Sequence, residues 1–160
     1  MSEELEKKIR AQKVYATLCQ AIENRGWTYD KKEEELVVQF CVSGDDLPMY
    51  FTLVIDEQRQ LIRLFSPMTF KMSEDKRMEG AIATCVATSA LVDGVFDYNL
   101  EDGNICFRMN SCFRGSEIGE DVLQYMISCA TATVDAYNDM FQALDKGYLS
   151  LEGFIKKANE

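Results

Sequence analysis

The chain has 160 residues, of which 47% are hydrophobic, and its 27 aspartates and glutamates outnumber its 17 lysines and arginines, giving a net charge of −10. This length and apolar content exclude a disordered segment, so we expect residues 1–160 to form a single globular domain. The negative charge disfavours nucleic acid and anionic membranes as partners, because both carry phosphate groups. No apolar run approaches the roughly 18 residues of a membrane span, and no signal peptide is evident, so we expect a cytoplasmic protein.

A first helix is predicted from Ser2 to Asn24. Ser2 can cap its N-terminus, and Gly26 can end it by adopting a left-handed conformation. Between them, apolar side chains recur at three- and four-residue steps, which is typical of one buried helical stripe. The residues of this stripe are Ala11, Val14, Tyr15, Leu18, Cys19 and Ile22.

Alternating apolar side chains predict strands in the next part of the chain. A short strand-like segment at Trp27–Tyr29 leads into a charged turn over 30–35. Three longer alternating runs follow, at Leu36–Val42, Met49–Ile55 and Leu61–Phe65. The loops between these runs are short, so neighbouring strands are expected to be antiparallel.

A second helix is predicted from Ser73 to Asp93, and its interior is rich in glycine, alanine, serine and threonine. Small side chains allow a helix to approach its neighbours closely. The next two strands flank Asp102-Gly103, a pair that is typical of a tight hairpin turn. The second helix is therefore followed by a second group of strands.

The longest helix is predicted from Ser116 to about Asp145, and its far end is expected to extend beyond the core. A last short helix follows Ser150 and carries Leu151, Phe154 and Ile155. The full order is α-β-β-β-α-β-β-α plus the short C-terminal helix. This order predicts an α+β two-layer sandwich, in which helices cover an antiparallel sheet.

The six cysteines lie at positions 19, 41, 85, 106, 112 and 129. None of them forms a Cys-x-x-Cys pair, so the sequence lacks the usual signature of a zinc or thioredoxin-type site. In a reducing cytoplasm they are expected to be free thiols, and we expect them to serve as small buried side chains.

Histidine is absent from the chain, which removes the commonest general base and the commonest metal ligand. A Ser-His-Asp or Cys-His catalytic group is therefore impossible within one chain. Two segments resemble parts of a calcium-binding loop. One starts at Asp97 and the other runs from Asp145 to Phe154, but both lack the required ligands. We predict no catalytic residue, no metal site and no cofactor, and hence a protein that is not an enzyme.

From Trp27 to Phe141 the order and spacing of segments resemble the bacterial YbjN-like domain, which shares the fold of type III secretion chaperones. The matching features are the strand pair at 49–65, Ser73-Glu74-Asp75 before a helix, Phe96-Asp97-Tyr98, the Asp102-Gly103 hairpin and the long third helix. The resemblance implies a small acidic dimer that binds an extended segment of a client protein without hydrolysing nucleotide. YbjN-like proteins are also described as regulators.

Two functions follow as hypotheses. The first is a non-enzymatic protein-binding module, chaperone-like or regulatory, that acts as a homodimer with a protein client. The alternative is a small-ligand sensor with a pocket between sheet and helices. For the first, the dimer interface is predicted at the small residues of the second helix, namely Ala83, Ala87 and Ala90. The competing interpretation is that the third helix covers them within one chain. Partner binding is predicted at the last helix, through Leu151, Phe154 and Ile155.

Overall fold

The computed structural model describes residues 1–160 and contains four α-helices and six strands. The helices are α1 (Glu3–Asn24), α2 (Arg77–Ala90), α3 (Glu120–Asp145) and α4 (Leu151–Ala158). The strands are β1 (Asp30–Lys32), β2 (Val37–Ser43), β3 (Pro48–Asp56), β4 (Leu61–Lys71), β5 (Val95–Tyr98) and β6 (Asn104–Cys112). The predicted α+β class is confirmed.

All six strands join one antiparallel sheet in the order β1-β2-β3-β4-β6-β5. Side chains alternate between its two faces, so Phe51 and Leu53 of β3 are buried while Tyr50 is exposed. The helices pack on one face and enclose a single core of 31 buried residues. The opposite face is open to solvent.

The first strand differs from the prediction, because the strand-like segment Trp27–Tyr29 forms no strand. The charged segment 30–35, expected to be a turn, contains β1 followed by a 3-10 turn at Glu33–Glu35. All three residues of β1 are exposed, so no apolar pattern marks the strand. Pairing of Asp30 with Gln39 and of Lys32 with Val37 places it at the edge of the sheet.

Two helix boundaries differ from the prediction. α2 begins at Arg77, and a 3-10 turn at Glu74–Lys76 precedes it. The Ser73 side chain makes no capping hydrogen bond, and its backbone N–H donates instead to the Asp145 carboxylate at 2.7 Å. α3 begins at Glu120, four residues later than expected.

The far end of α3 stays inside the core, contrary to expectation. Phe141 and Leu144 have no exposed surface, because α4 folds back against α3. Gly147 allows this reversal, since its φ of +78° is a conformation that favours glycine. None of the four helices is both long enough and apolar enough to cross a membrane.

Candidate functional site

A cleft of about 390 Å³ lies between α1 and the β1–β2 end of the sheet. Its apolar lining is formed by Tyr15, Ala16, Cys19 and Leu36, and its charged lining by Glu23, Lys31 and Glu33. We call it the α1 cleft. Its size falls within the range of sites that hold small molecules or a few side chains of a partner.

Two tyrosines fix the walls of the α1 cleft. The Tyr15 hydroxyl donates a hydrogen bond to the backbone carbonyl of Val37 at 3.1 Å, and the Tyr29 hydroxyl donates to the Glu23 carboxylate at 2.6 Å. Burial, with the nearby Cys19 thiol, raises the pKa of Tyr15 to about 12. Burial and the Glu23 bond raise the pKa of Tyr29 as well. Both hydroxyls therefore remain protonated donors near neutral pH.

Leu36 enters the α1 cleft from a strained backbone position. Its φ of 55° is left-handed, a conformation that bulky residues rarely adopt and that costs on the order of 1–3 kcal/mol. Hydrogen bonds on both sides hold it there: its N–H donates to Glu33 O at 3.2 Å, and its carbonyl accepts from Ile55 N at 3.0 Å. The turn therefore presents a leucine side chain where glycine or asparagine would satisfy the backbone more easily.

A second exposed apolar surface runs along the outer side of α2. Met78 is 67% exposed and Ile82 is 45% exposed, and the same helical spacing continues through the exposed Cys85 and Ser89. We call these four residues the α2 row. None of them is charged. Val92, which is 97% exposed, follows in the loop after the helix. Beside the end of the row, Tyr125 of α3 is half exposed and donates a hydrogen bond to the Asp93 carboxylate.

The predicted dimer residues are mostly not on this surface. Ala83 and Ala87 have no exposed surface and belong to the core of the single chain, so their prediction as interface residues is wrong. Only Ala90 is exposed. The small residues of α2 allow close approach by β5, α3 and α4 within one chain, and this packing accounts for them.

The predicted partner-binding residues of α4 are also largely covered. Phe154 is fully buried, and its ring centroid lies 5.1 Å from that of Phe141. Leu151 and Ile155 are half-buried, and Leu151 packs against the core. Phe154 is therefore a core anchor of α4, and its prediction as a partner contact is wrong.

The thiols are not bonded to one another, but most of them are not buried as predicted. Only Cys19 is buried, whereas Cys41, Cys85 and Cys112 are exposed. Strand alternation explains Cys41, because its neighbour Phe40 occupies the core face of β2. Side-chain size alone did not indicate which face each cysteine would occupy.

Four carboxylates meet where the β2–β3 loop packs on α3. The backbone N–H of Asp45 donates to Asp135 at 3.0 Å. Burial, followed by a hydrogen bond with Asp46, raises the pKa of Asp139 to about 6. No group of three or more cysteine, aspartate or glutamate side chains is placed to hold a metal ion.

No family model and no curated protein matches the chain. Among solved structures, a chain in "Crystal Structure of the ExsC-ExsE Complex" has a similar fold, with a TM-score of 0.54. The two sequences are 14% identical, and the match covers 83% of this chain and 93% of that chain. At this level of identity the match shows that the two chains share an α+β fold.

The sequence analysis named no residue of either exposed surface as a site residue, although its alternative function placed a pocket between sheet and helices. The α2 row had a visible signal, because Met78, Ile82 and Cys85 recur at helical spacing on the side opposite the small residues. The α1 cleft had none, since it joins the middle of α1 to a turn whose left-handed Leu36 has no sequence signature.

Proposed function

We propose that this chain is a non-enzymatic protein-binding module, chaperone-like or regulatory, that acts as a homodimer and holds a client segment in the α1 cleft. The observation that carries the proposal is the α1 cleft itself. Its floor is apolar at Ala16 and Leu36, it opens to solvent, and it lies beside the free edge of β1. The occurrence of the same fold in a complex of two named proteins, ExsC and ExsE, supports a binding role.

The α2 row supports the homodimer. The row places the exposed apolar side chains Met78 and Ile82 one turn apart, and clustered exposed apolar residues are typical of an interaction surface. The row carries no charge on a chain whose net charge is −10, so two copies can meet there with less repulsion than elsewhere. A twofold axis across α2 would pair Ile82 and Cys85 with the same residues of the second copy.

We also propose that residues 1–160 form a single YbjN-like domain that works in the cytoplasm. The continuous core supports one domain, because buried residues of all four helices belong to the same cluster. The element order from β2 to α3 follows the pattern on which the resemblance rests.

The binding role is tested by differential capture from a lysate of the source cells. Ala16→Trp fills the α1 cleft, and Ala136→Trp adds the same side chain to the exposed side of α3 as a matched control. We expect a client that wild type and the control variant retain and that Ala16→Trp loses. Identical captured sets for all three proteins would contradict the proposal.

The small-ligand sensor is a distinct outcome of a companion measurement. Native mass spectrometry of freshly purified protein reports any retained small molecule. A metabolite bound to wild type and absent from Ala16→Trp would favour the sensor over the client-binding module.

A further inference from the structure

We infer that the client segment held in the α1 cleft is basic, with a lysine or arginine adjacent to an apolar residue. This inference rests on the proposed function and adds the chemistry of the partner. It follows from the combination of an apolar floor with carboxylates that have no cationic partner.

The carboxylates at the rim are unpaired. Glu23 and Glu33 line the cleft, and Glu34 and Glu35 continue the same exposed turn. None of the six ion pairs of the chain involves any of these four residues. The one hydrogen bond to a carboxylate of this group comes from the neutral hydroxyl of Tyr29 to Glu23.

The one cation that lines the cleft forms no ion pair with this rim. The Lys31 ammonium lies 5.9 Å from the centroid of the Tyr29 ring rather than against a carboxylate. The charge of Glu33 reaches into the cleft, where it contributes to the raised pKa of Tyr15. A bound cation would therefore meet negative potential on the side of the cleft that Glu23 and Glu33 form.

The floor selects for an apolar neighbour of that cation. Tyr15 and Cys19 are almost completely buried beneath the opening, and Leu36 is directed there by its strained turn. If an apolar side chain of the client packs on this floor, the client residues on either side of it would lie next to Glu23 and Glu33. Opposite charge on those residues would be favourable, and negative charge would be repelled.

Fluorescence anisotropy with labelled peptides tests the inference. The probes are a short peptide that alternates leucine with lysine, the same peptide with glutamine for lysine, and the same with glutamate. We expect the lysine peptide to bind most tightly, with an affinity that falls as salt is added. Ala16→Trp should abolish this binding, and Ala136→Trp should preserve it.

A matched pair of charge variants separates the cleft from the overall charge of the protein. Glu23→Gln/Glu33→Gln removes two carboxylates at the rim and keeps a hydrogen-bond acceptor for Tyr29. Glu101→Gln/Glu160→Gln removes two exposed, unpaired carboxylates elsewhere. The rim variant should weaken the lysine peptide by about tenfold, as two partly exposed pairs would, and the distant variant by less than about twofold.

The outcomes distinguish the inference from the proposed function. Equal binding of the lysine and glutamine peptides, or equal weakening by both charge variants, overturns the basic client and leaves the cleft as a binding site. Failure of the lysine peptide to bind also overturns the inference. If Ala16→Trp leaves the binding of every peptide unchanged, the α1 cleft is not the binding site and the proposed function is contradicted.

Discussion

The two sides of α2 differ in both residue size and exposure. The inner side carries Gly80, Ala83 and Ala87, all of them buried against the rest of the chain. The outer side carries the α2 row, whose larger side chains Met78 and Ile82 remain exposed. The comparison shows that small residues mark where this helix is packed most closely, whereas the large residues Met78 and Ile82 are left uncovered by the chain.

The same comparison explains why Ala83 and Ala87 do not lie at a dimer interface. Surplus alanines on α2 indicated a second closely packed neighbour, and that inference was sound. The neighbour is intramolecular, because α2 lies between β5 and α4. A sequence does not distinguish a helix of the same chain from a helix of a second copy, since both present similar surfaces.

The largest expected effect comes from a charge on the inner side of α2. Ala87→Glu would bury an unpaired carboxylate where the wild-type residue has no exposed surface, and we expect a loss of several kcal/mol or failure to fold. Ala90→Glu, at an exposed position of the same helix, is the control and should fold normally. Circular dichroism melts compare the two, and a stable Ala87→Glu protein would mean that this side of α2 is open.

The next effect concerns α4, which covers part of that inner side. Phe154→Ala should lower the free energy of unfolding by about 3–5 kcal/mol, because it empties a fully buried site against Phe141. Tyr148→Ala, which removes a side chain that is 84% exposed, is the control. Urea denaturation measures both, and a loss below about 1 kcal/mol for Phe154→Ala would show that α4 is not anchored.

A charge on the outer side should change association and not folding. Ile82→Glu places a carboxylate within the α2 row, so a dimer formed there should weaken by about tenfold or more while the melting temperature of the dissociated chain stays the same. Ala132→Glu, at an exposed position of α3, is the control and should leave the mass unchanged. Light scattering over a range of concentrations measures the mass of each protein, and a monomeric wild type would rule out the dimer.

The smallest expected effect is a pH-dependent change in melting temperature caused by the partly buried carboxyl group of Asp139. Asp139 has its pKa raised from 3.8 to about 6 in the folded chain, so its stabilising contribution is complete below about pH 4 and is lost as the pH rises through 6. Asp139→Asn should therefore raise the melting temperature at pH 7.5, on the order of 3 °C, and leave it unchanged near pH 3.5. The exposed Asp75→Asn is the control at both pH values. A rise in melting temperature of Asp139→Asn at pH 3.5 but not at pH 7.5 would contradict a raised pKa for Asp139.

The sequence by itself determined most of the secondary structure and the fold class. The three-and-four spacing from Ala11 to Ile22 and the alternation from Met49 to Ile55 each depend on neighbours along the chain, so local patterns were sufficient to identify α1 and β3. The Asp102-Gly103 turn is equally local, and Gly103 has the left-handed φ of +78° that this hairpin needs.

Only the tertiary structure decided which surfaces are free. β1 is a strand because β2 pairs with it, although its three residues carry no apolar pattern. Phe154 is a core residue because the chain reverses at Gly147, and Leu36 lines a cleft because Ile55 and Glu33 hold its backbone in a strained conformation. Each outcome depends on contacts between distant segments, and the free energy of such contacts is not encoded in any local run of residues.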